Sequence, residues 1–160
     1  MRVRRMPKEN CSPVRPKILA SGNLIAVSFC VFLAGCTLIA RYDRVAYEHA
    51  TSAKVDTLAL ISKATGSYDD HEKQVEALIT QLDKAYEYDR GRQLNQLTIA
   101  QWDILRDPNR DLVGGFLKMW KAKGNLSATF IAEKKKQVAD AFDQIIRLES
   151  GKPRPAKLKE

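Results

Sequence analysis

Apolar residues recur at spacings of three and four along most of the chain beyond residue 36, and this is the period of an amphipathic α-helix. The clearest example lies between Ser67 and Gly91, and its apolar positions are Val75, Leu78, Ile79, Leu82, Ala85 and Tyr86. Residues 67–72 include short polar and acidic side chains, which cap free amides and face the positive end of a helix dipole. The pattern predicts a helix that starts there and ends at Gly91.

Two further helices are predicted on either side of this one. From Thr37 to about Ala64 the chain has neither Pro nor Gly, and its helical face consists of Leu38, Tyr42, Val45, Ala46, Ala50, Ala53, Leu60, Ile61 and Ala64. We expect one long helix there, whose first turns, within residues 36–50, form a stalk. Residues 92–106 show a weaker pattern, which predicts a short helix capped by Asn95 or Thr98.

The next predicted helix begins at Asp107-Pro108, since Asp suits a helix cap and Pro the first turn, and it ends at a left-handed Gly124. Its apolar face consists of Leu112, Val113, Phe116, Leu117 and Trp120. The interior pair Gly114-Gly115 indicates a close helix crossing, because each glycine costs about 1 kcal/mol relative to Ala.

The last predicted helix is capped by Ser127, is stapled by packing of Leu126 on Ile131, and stops at Gly151. Its core face consists of Ile131, Val138, Ala141, Phe142, Ile145 and Ile146. On its outer face we expect two ion pairs at helical spacing, Lys136 with Asp140 and Asp143 with Arg147.

The fold class follows from the presence of the helical period and the absence of the strand period. No segment alternates with the period of a strand, so the chain is predicted to be all-α. We expect a small bundle of four or five helices over residues 36–151. Residues 152–160 are basic and contain two prolines, and they are predicted to form a disordered basic tail.

The first 35 residues follow a different pattern, basic and then apolar. The basic residues stand against Glu9 alone and are Arg2, Arg4, Arg5, Lys8, Arg15 and Lys17. The apolar run extends from Leu24 to Ala34 and is bounded by polar residues 21–23. It is shorter than the roughly 20 apolar residues that a transmembrane helix needs. The pattern is typical of a secretory signal peptide.

The apolar run ends in Leu33-Ala34-Gly35-Cys36, and these residues resemble the lipobox of bacterial membrane lipoprotein precursors. The resemblance implies that residues 1–35 are a signal peptide removed between Gly35 and Cys36. It also implies that diacylglycerol is joined to the Cys36 sulfur and that the new amine is acylated, which together anchor the domain stably on a membrane. In that family an Asp after the cysteine retains the protein at the inner membrane, so Thr37 implies the outer membrane, facing the periplasm. The alternative is an uncleaved signal anchor in the inner membrane.

Charge and cysteine content exclude several classes of function. The 160 residues have a net charge of +8, but much of the excess lies in the leader and does not indicate nucleic-acid binding. Cys11 and Cys30 also lie in the leader, and Cys36 is the expected lipid site. The mature part therefore has no cysteine for a disulfide or a thiolate metal site. No cofactor motif and no catalytic pattern is found, and no enzyme is predicted.

The chain has two histidines, each with two interpretations. His71 stands among Asp69, Asp70 and Glu72, which together suit a divalent ion but also suit the start of a helix. We favour the helix start. His49 shares the face of Tyr42 and Ala53 and is expected to be a core residue with its hydrogen bonds satisfied.

Aromatic and basic clusters supply the candidate interaction surfaces. Trp102, Phe116 and Trp120 line either a groove for an apolar ligand or partner helix, or the core, which is the commoner place for such residues. Lys134-Lys135-Lys136 and the tail from Lys152 to Lys159 contact anionic headgroups or a cell-wall polymer, or form solvated surface.

The sequence therefore predicts a lipid-anchored protein of the cell envelope that works by binding. Its expected partners are membrane lipid through Cys36 and an envelope protein or cell-wall component. An alternative function is that of a carrier or sensor, in which the bundle opens between the second helix and the Trp120 helix to take a hydrophobic molecule.

Overall fold

The computed structural model describes residues 39–154, and these form five α-helices with no strand among them. In chain order they are α1 (Arg44–Ile61), α2 (Glu72–Arg90), α3 (Gln96–Arg106), α4 (Val113–Lys123) and α5 (Ala128–Ser150). A short 3₁₀ helix, Asp69–His71, leads into α2. The all-α prediction is confirmed. The predicted signal peptide, Cys36 and Thr37, and residues 155–160 of the predicted tail, lie outside the described residues.

Four of the five helices pack against one another in a closed ring, in the order α1, α2, α3 and α5. α1 packs against both α5 and α2, α3 packs against both α2 and α5, and α4 packs against α3. Aromatic rings fill the centre: Trp102 of α3 meets Phe142 of α5 edge to face at 6.0 Å between ring centroids. None of the helices within residues 39–154 is long and apolar enough to cross a bilayer.

The first helix begins later than the sequence predicts. Its N-cap is Asp43, whose side chain accepts a hydrogen bond from the Ala46 amide at 3.0 Å. The chain before it is held in place by the rest of the domain, because the Ala40 amide donates to the Leu94 carbonyl at 2.9 Å. Ala40, Ala46 and Ala50 are buried. The expected stalk within residues 36–50 is therefore wrong for residues 39–50, which belong to the bundle.

The Gly114-Gly115 pair permits a close approach, but to the last residue of α3 and the turn after it and not to the face of a crossing helix. α4 starts at Val113 and not at Pro108, so residues 107–112 form a turn between α3 and α4. A Cβ added to Gly114 would lie 2.2 Å from the Arg106 carbonyl oxygen, and one added to Gly115 would lie 1.9 Å from the Arg110 carbonyl oxygen. The glycines thus let α4 fold back on the turn and on the end of α3.

Several predicted helix ends are confirmed. α4 ends at Gly124, whose φ of 77° is positive, as a glycine stop requires. The Ser127 hydroxyl accepts a hydrogen bond from the Phe130 amide at 3.3 Å and caps α5, which ends before Gly151. Neither of the two expected surface pairs is formed. Asp143 pairs with Lys54 of α1 at 2.6 Å and not with Arg147, and within residues 39–154 no ion pair joins Lys136 to Asp140.

Candidate functional site

The three aromatic residues singled out in the sequence are core residues. Trp102, Phe116 and Trp120 are at most 1 % exposed. The Trp102 indole donates to Asp89 Oδ2 at 2.7 Å, and the Trp120 indole donates to the Gly66 carbonyl at 3.1 Å. They do not form a surface that a partner can reach. Of the two interpretations offered by the sequence, the structure supports core packing.

A groove of about 280 Å³ lies between α2 and α4. Its apolar lining includes Val75, Ile79, Leu82, Val113 and Leu117. All of these are buried except Ile79, which is 43 % exposed on the side of α2 next to α4. The Gly114 backbone, which has no side chain to fill the space, forms part of the lining. We call this feature the α2–α4 groove.

Charged side chains border the α2–α4 groove. Asp83 forms an ion pair with Arg106, whose guanidinium also lies 4.2 Å from the centre of the Tyr86 ring. Lys121 lies 3.6 Å from a carboxylate oxygen of Glu72, and Lys118 donates to Asn109 Oδ1 at 3.2 Å. Exposed ion pairs of this kind contribute only about 0–1 kcal/mol to stability. The rim can therefore exchange its internal partners for those of a ligand at low cost.

A second cluster of polar side chains is buried where α2 and α5 end, and the sequence reasoning missed it. Asp89 accepts hydrogen bonds from Arg92 Nη1 and from Asn95 Nδ2, both at 2.9 Å. Glu149 accepts from Arg92 at 2.8 Å and from the Asp43 amide at 2.7 Å. We call Asp89, Arg92, Glu149 and Lys152, together with Asn95 and Thr98, the buried ionic network.

Lys152 corrects the predicted start of the tail. It is 4 % exposed, and its ammonium group contacts Glu149, Asn95 Oδ1 and, at 3.2 Å, Thr98 Oγ1. The Tyr42 amide also donates to the Pro153 carbonyl at 2.9 Å. Residues 152–154 are therefore part of the domain. Lys134, predicted as a surface cation, is likewise buried, and it donates to the Asp111 carbonyl at 3.0 Å.

Two members of the buried ionic network, Glu149 and Arg92, have shifted pKa values. Burial by itself raises the pKa of Glu149, but hydrogen bonds from Arg92, Lys152 and the Asp43 amide together bring that pKa below its usual value. The pKa of Arg92 is raised: burial opposes this, and hydrogen bonds from its guanidinium to Glu149 and Asp89 outweigh burial. With two cations matched to two carboxylates, the network is a structural clamp that leaves no acid, base or nucleophile free for chemistry.

The two histidines differ in their surroundings. His71 Nδ1 lies 2.9 Å from the Ser67 carbonyl oxygen, and its ring packs 5.5 Å from Trp120. His49 lies edge-on to Tyr88 at 5.2 Å, and its buried Nδ1 lacks the hydrogen-bond partner we expected. Within residues 39–154, no three His, Cys, Asp or Glu side chains are grouped so that they would hold a metal ion.

Comparisons with known proteins add no relative. No protein-family model, no curated protein and no solved structure matches the chain.

Proposed function

We propose that this chain is a membrane lipoprotein of the cell envelope whose helical domain binds another envelope protein through the α2–α4 groove. Support for the anchor is the Leu33-Ala34-Gly35-Cys36 motif at the end of a basic and then apolar leader. Support for binding is the groove itself, an apolar opening between two helices with charged residues at its rim. Thr37 favours the outer membrane, with the domain in the periplasm.

A protein side chain suits the groove better than an enclosed small molecule does. Sites for small ligands usually bury at least 70 % of the ligand in volumes of roughly 300–1,000 Å³. This groove measures about 280 Å³, and the aromatic core beneath it is filled. An amphipathic helix placing one or two apolar side chains between α2 and α4 would need no deeper cavity. The charged rim would then pair with polar residues beside those anchors.

The second candidate function is a carrier or sensor of a hydrophobic molecule. It is favoured by the position of the groove, which lies between the second helix and the helix of Trp120. An acyl chain would contact the same aliphatic lining. The two functions differ in what is found with the purified protein: a carrier is extracted with a bound lipid in stoichiometric amount, whereas a protein-binding module is not.

The anchor is tested by intact-mass measurement of the full chain extracted from membranes, beside a Cys36→Ser variant. We expect a mature species that begins at Cys36 and has added acyl mass. We expect the Cys36→Ser chain to keep its leader. An uncleaved, unmodified chain of 160 residues in the wild-type sample would overturn the lipoprotein proposal.

The groove is tested by comparing Ile79→Glu with Val55→Glu in the anchored full chain. Both residues are exposed aliphatics on helix surfaces, at 43 % and 65 %, but only Ile79 lines the groove. After cross-linking in intact cells, we expect a specific protein partner to be recovered with wild type and Val55→Glu and reduced at least tenfold with Ile79→Glu. Equal recovery with both variants would exclude the groove as the binding site.

A further inference from the structure

Exposed apolar side chains are concentrated at one end of the bundle. This end, where α1 begins and where α2 and α5 end, is called the anchor end below. Ile39, Leu94 and Leu97 are 37 %, 42 % and 64 % exposed. With Leu148 they line one small pocket of about 90 Å³. We call these four residues the anchor-end patch.

Leu94 is held in a conformation that neither its backbone nor its side chain favours in water. Its φ is 60°, and no other non-glycine residue within 39–154 has a positive φ. Branched apolar side chains rarely adopt this left-handed region, and Gly or Asn usually occupies it. The neighbouring Asn95 fixes the turn, since its Nδ2 donates to the Asp89 carbonyl at 3.0 Å. The buried ionic network thus holds an exposed leucine outward on a strained turn, which suggests a role for that side chain beyond folding.

Chain length places the patch close to the expected lipid. Ala40 is buried and fixed by its hydrogen bond to the Leu94 carbonyl. Only residues 37–39 separate it from Cys36, and an extended chain spans at most about 3.6 Å per residue. If Cys36 is acylated, as the proposed function states, Ile39 lies within roughly 11 Å of the modified residue.

Exposed cations lie at the same end of the bundle as the anchor-end patch. Arg41 and Arg154 are exposed at the anchor end, and the Arg154 guanidinium lies 5.2 Å from the centre of the Tyr42 ring. Arg44 is also exposed there and pairs with Glu48 at 2.6 Å. Basic side chains at the same end as exposed leucine and isoleucine are the combination by which interfacial segments bind phospholipid headgroups.

We propose that the anchor-end patch inserts into the headgroup layer of the bilayer to which Cys36 is attached, so that the bundle stands on the membrane by its anchor end. The proposal rests on the lipoprotein function above. It gives the domain one orientation. The α2–α4 groove, formed by α4 and by the part of α2 from Val75 to Asp83, then faces the aqueous compartment, where a partner can reach it.

A depth measurement on the anchored full chain tests the proposal. Once the leader is removed, Cys36 is the one native cysteine and its sulfur is blocked by lipid, so an introduced cysteine can be labelled alone. A fluorophore is attached to Leu97→Cys at the anchor end or to Asn125→Cys, which is exposed between α4 and α5. The protein is placed in nanodiscs of phosphatidylethanolamine and phosphatidylglycerol that contain a headgroup-labelled nitroxide lipid.

We expect quenching at position 97 to exceed quenching at position 125 by at least threefold. Adding Leu94→Asn to the Leu97→Cys chain should lower the quenching at 97 at least twofold, because Asn accepts the left-handed backbone but removes an apolar side chain. Equal quenching at 97 and 125 in an acylated chain overturns the docking and leaves the lipoprotein function intact. An intact mass without acyl groups overturns the lipoprotein function, and with it the docking that depends on it.

Discussion

The two ends of the bundle are held together by different interactions. At the anchor end, the buried ionic network joins the turn after α2, the end of α5 and the segment before α1 through charged side chains. At the opposite end, backbone groups do the same work: the Leu126 amide donates to the Ala64 carbonyl, and the Tyr68 amide donates to the Gly124 carbonyl, both at 2.8 Å. The Tyr68 and Trp120 rings pack edge to face beside them at 5.5 Å.

This difference predicts where the fold is sensitive to single changes and to pH. A neutral hydrogen bond contributes about 0.5–1.5 kcal/mol to the free energy of unfolding, and its loss affects only one donor and one acceptor. A buried charge that loses its partner remains in a medium that solvates it poorly, so the cost is larger and is shared by the whole network. The anchor end should therefore respond strongly to single substitutions and to acid, and the opposite end only weakly.

The largest effect is expected from Glu149→Ala. This change removes a carboxylate that is 1 % exposed. The two cations Arg92 and Lys152 then have only the Asp89 carboxylate left in the network to balance their charge. We expect the free energy of unfolding to fall by about 3–5 kcal/mol. Urea titration followed by far-ultraviolet circular dichroism measures it. The control is Glu48→Ala, which breaks the exposed pair with Arg44 and should cost at most about 1 kcal/mol. Equal losses in the two variants would show that burial of the Glu149 carboxylate in the ionic network does not determine the cost.

Two tryptophans allow a matched test of the same difference. Trp102→Phe removes a donor to the buried Asp89 carboxylate, whereas Trp120→Phe removes a donor to a backbone carbonyl. Hydrogen bonds to charged groups contribute about 1.5–3 kcal/mol and neutral ones about 0.5–1.5 kcal/mol. Both tryptophans are fully buried, so the destabilisation that comes from replacing the larger ring with a smaller one is similar in the two variants. Trp102→Phe should lower the free energy of unfolding by the larger amount, and the reverse order in a urea titration would refute this.

Acid should weaken the anchor end selectively. The folded-state pKa of Glu149 lies below its usual value of 4.5, because its hydrogen bonds from Arg92, Lys152 and the Asp43 amide outweigh the effect of burial. A carboxylate with a lowered pKa contributes its full stability above about pH 4.5 and loses it as the pH falls through the folded-state value. The urea concentration at the unfolding midpoint should therefore fall as the pH is lowered from 4.5. This fall should be less steep in the Glu149→Gln variant. Parallel profiles for the two chains would show that Glu149 is not responsible.

The helical periods predicted most of the fold because apolar spacing is a local property. Val75, Leu78 and Leu82 are all buried as expected. Ile79 has the same spacing but is 43 % exposed, since the neighbouring helices leave the α2–α4 groove open there. The groove depends on where α4 folds back, and no period in the sequence encodes that position.

The buried ionic network was missed because residue type was taken as a guide to burial. Asp89 continues the α2 face through Leu82 and Ala85, and Glu149 continues the α5 face through Phe142 and Ile145. This spacing was the available signal. Their compensating charges come from residues in turns, and Arg92 lies 57 positions from Glu149. Such a pairing is a tertiary property.

The start of α1 was misplaced for a related reason. Leu38 and Tyr42 extend its apolar spacing, but the Asp43 side chain caps the helix and Tyr42 instead donates to the Pro153 carbonyl. A pattern of residue types does not contain that contact between distant parts of the chain. The same contact brings residues 152–154 into the domain.

The smallest expected effect separates stability from membrane contact at the anchor end. Leu94→Asn relieves a left-handed backbone at φ 60° and should raise the free energy of unfolding by about 1 kcal/mol. Leu97→Asn, in the first turn of α3, should instead lower it by about 0.5 kcal/mol through helix propensity. Urea titration measures both changes. A loss of stability in Leu94→Asn would mean that its side chain supports the fold. Since each substitution removes one exposed leucine from the patch, both should weaken contact with the bilayer while they shift stability in opposite directions.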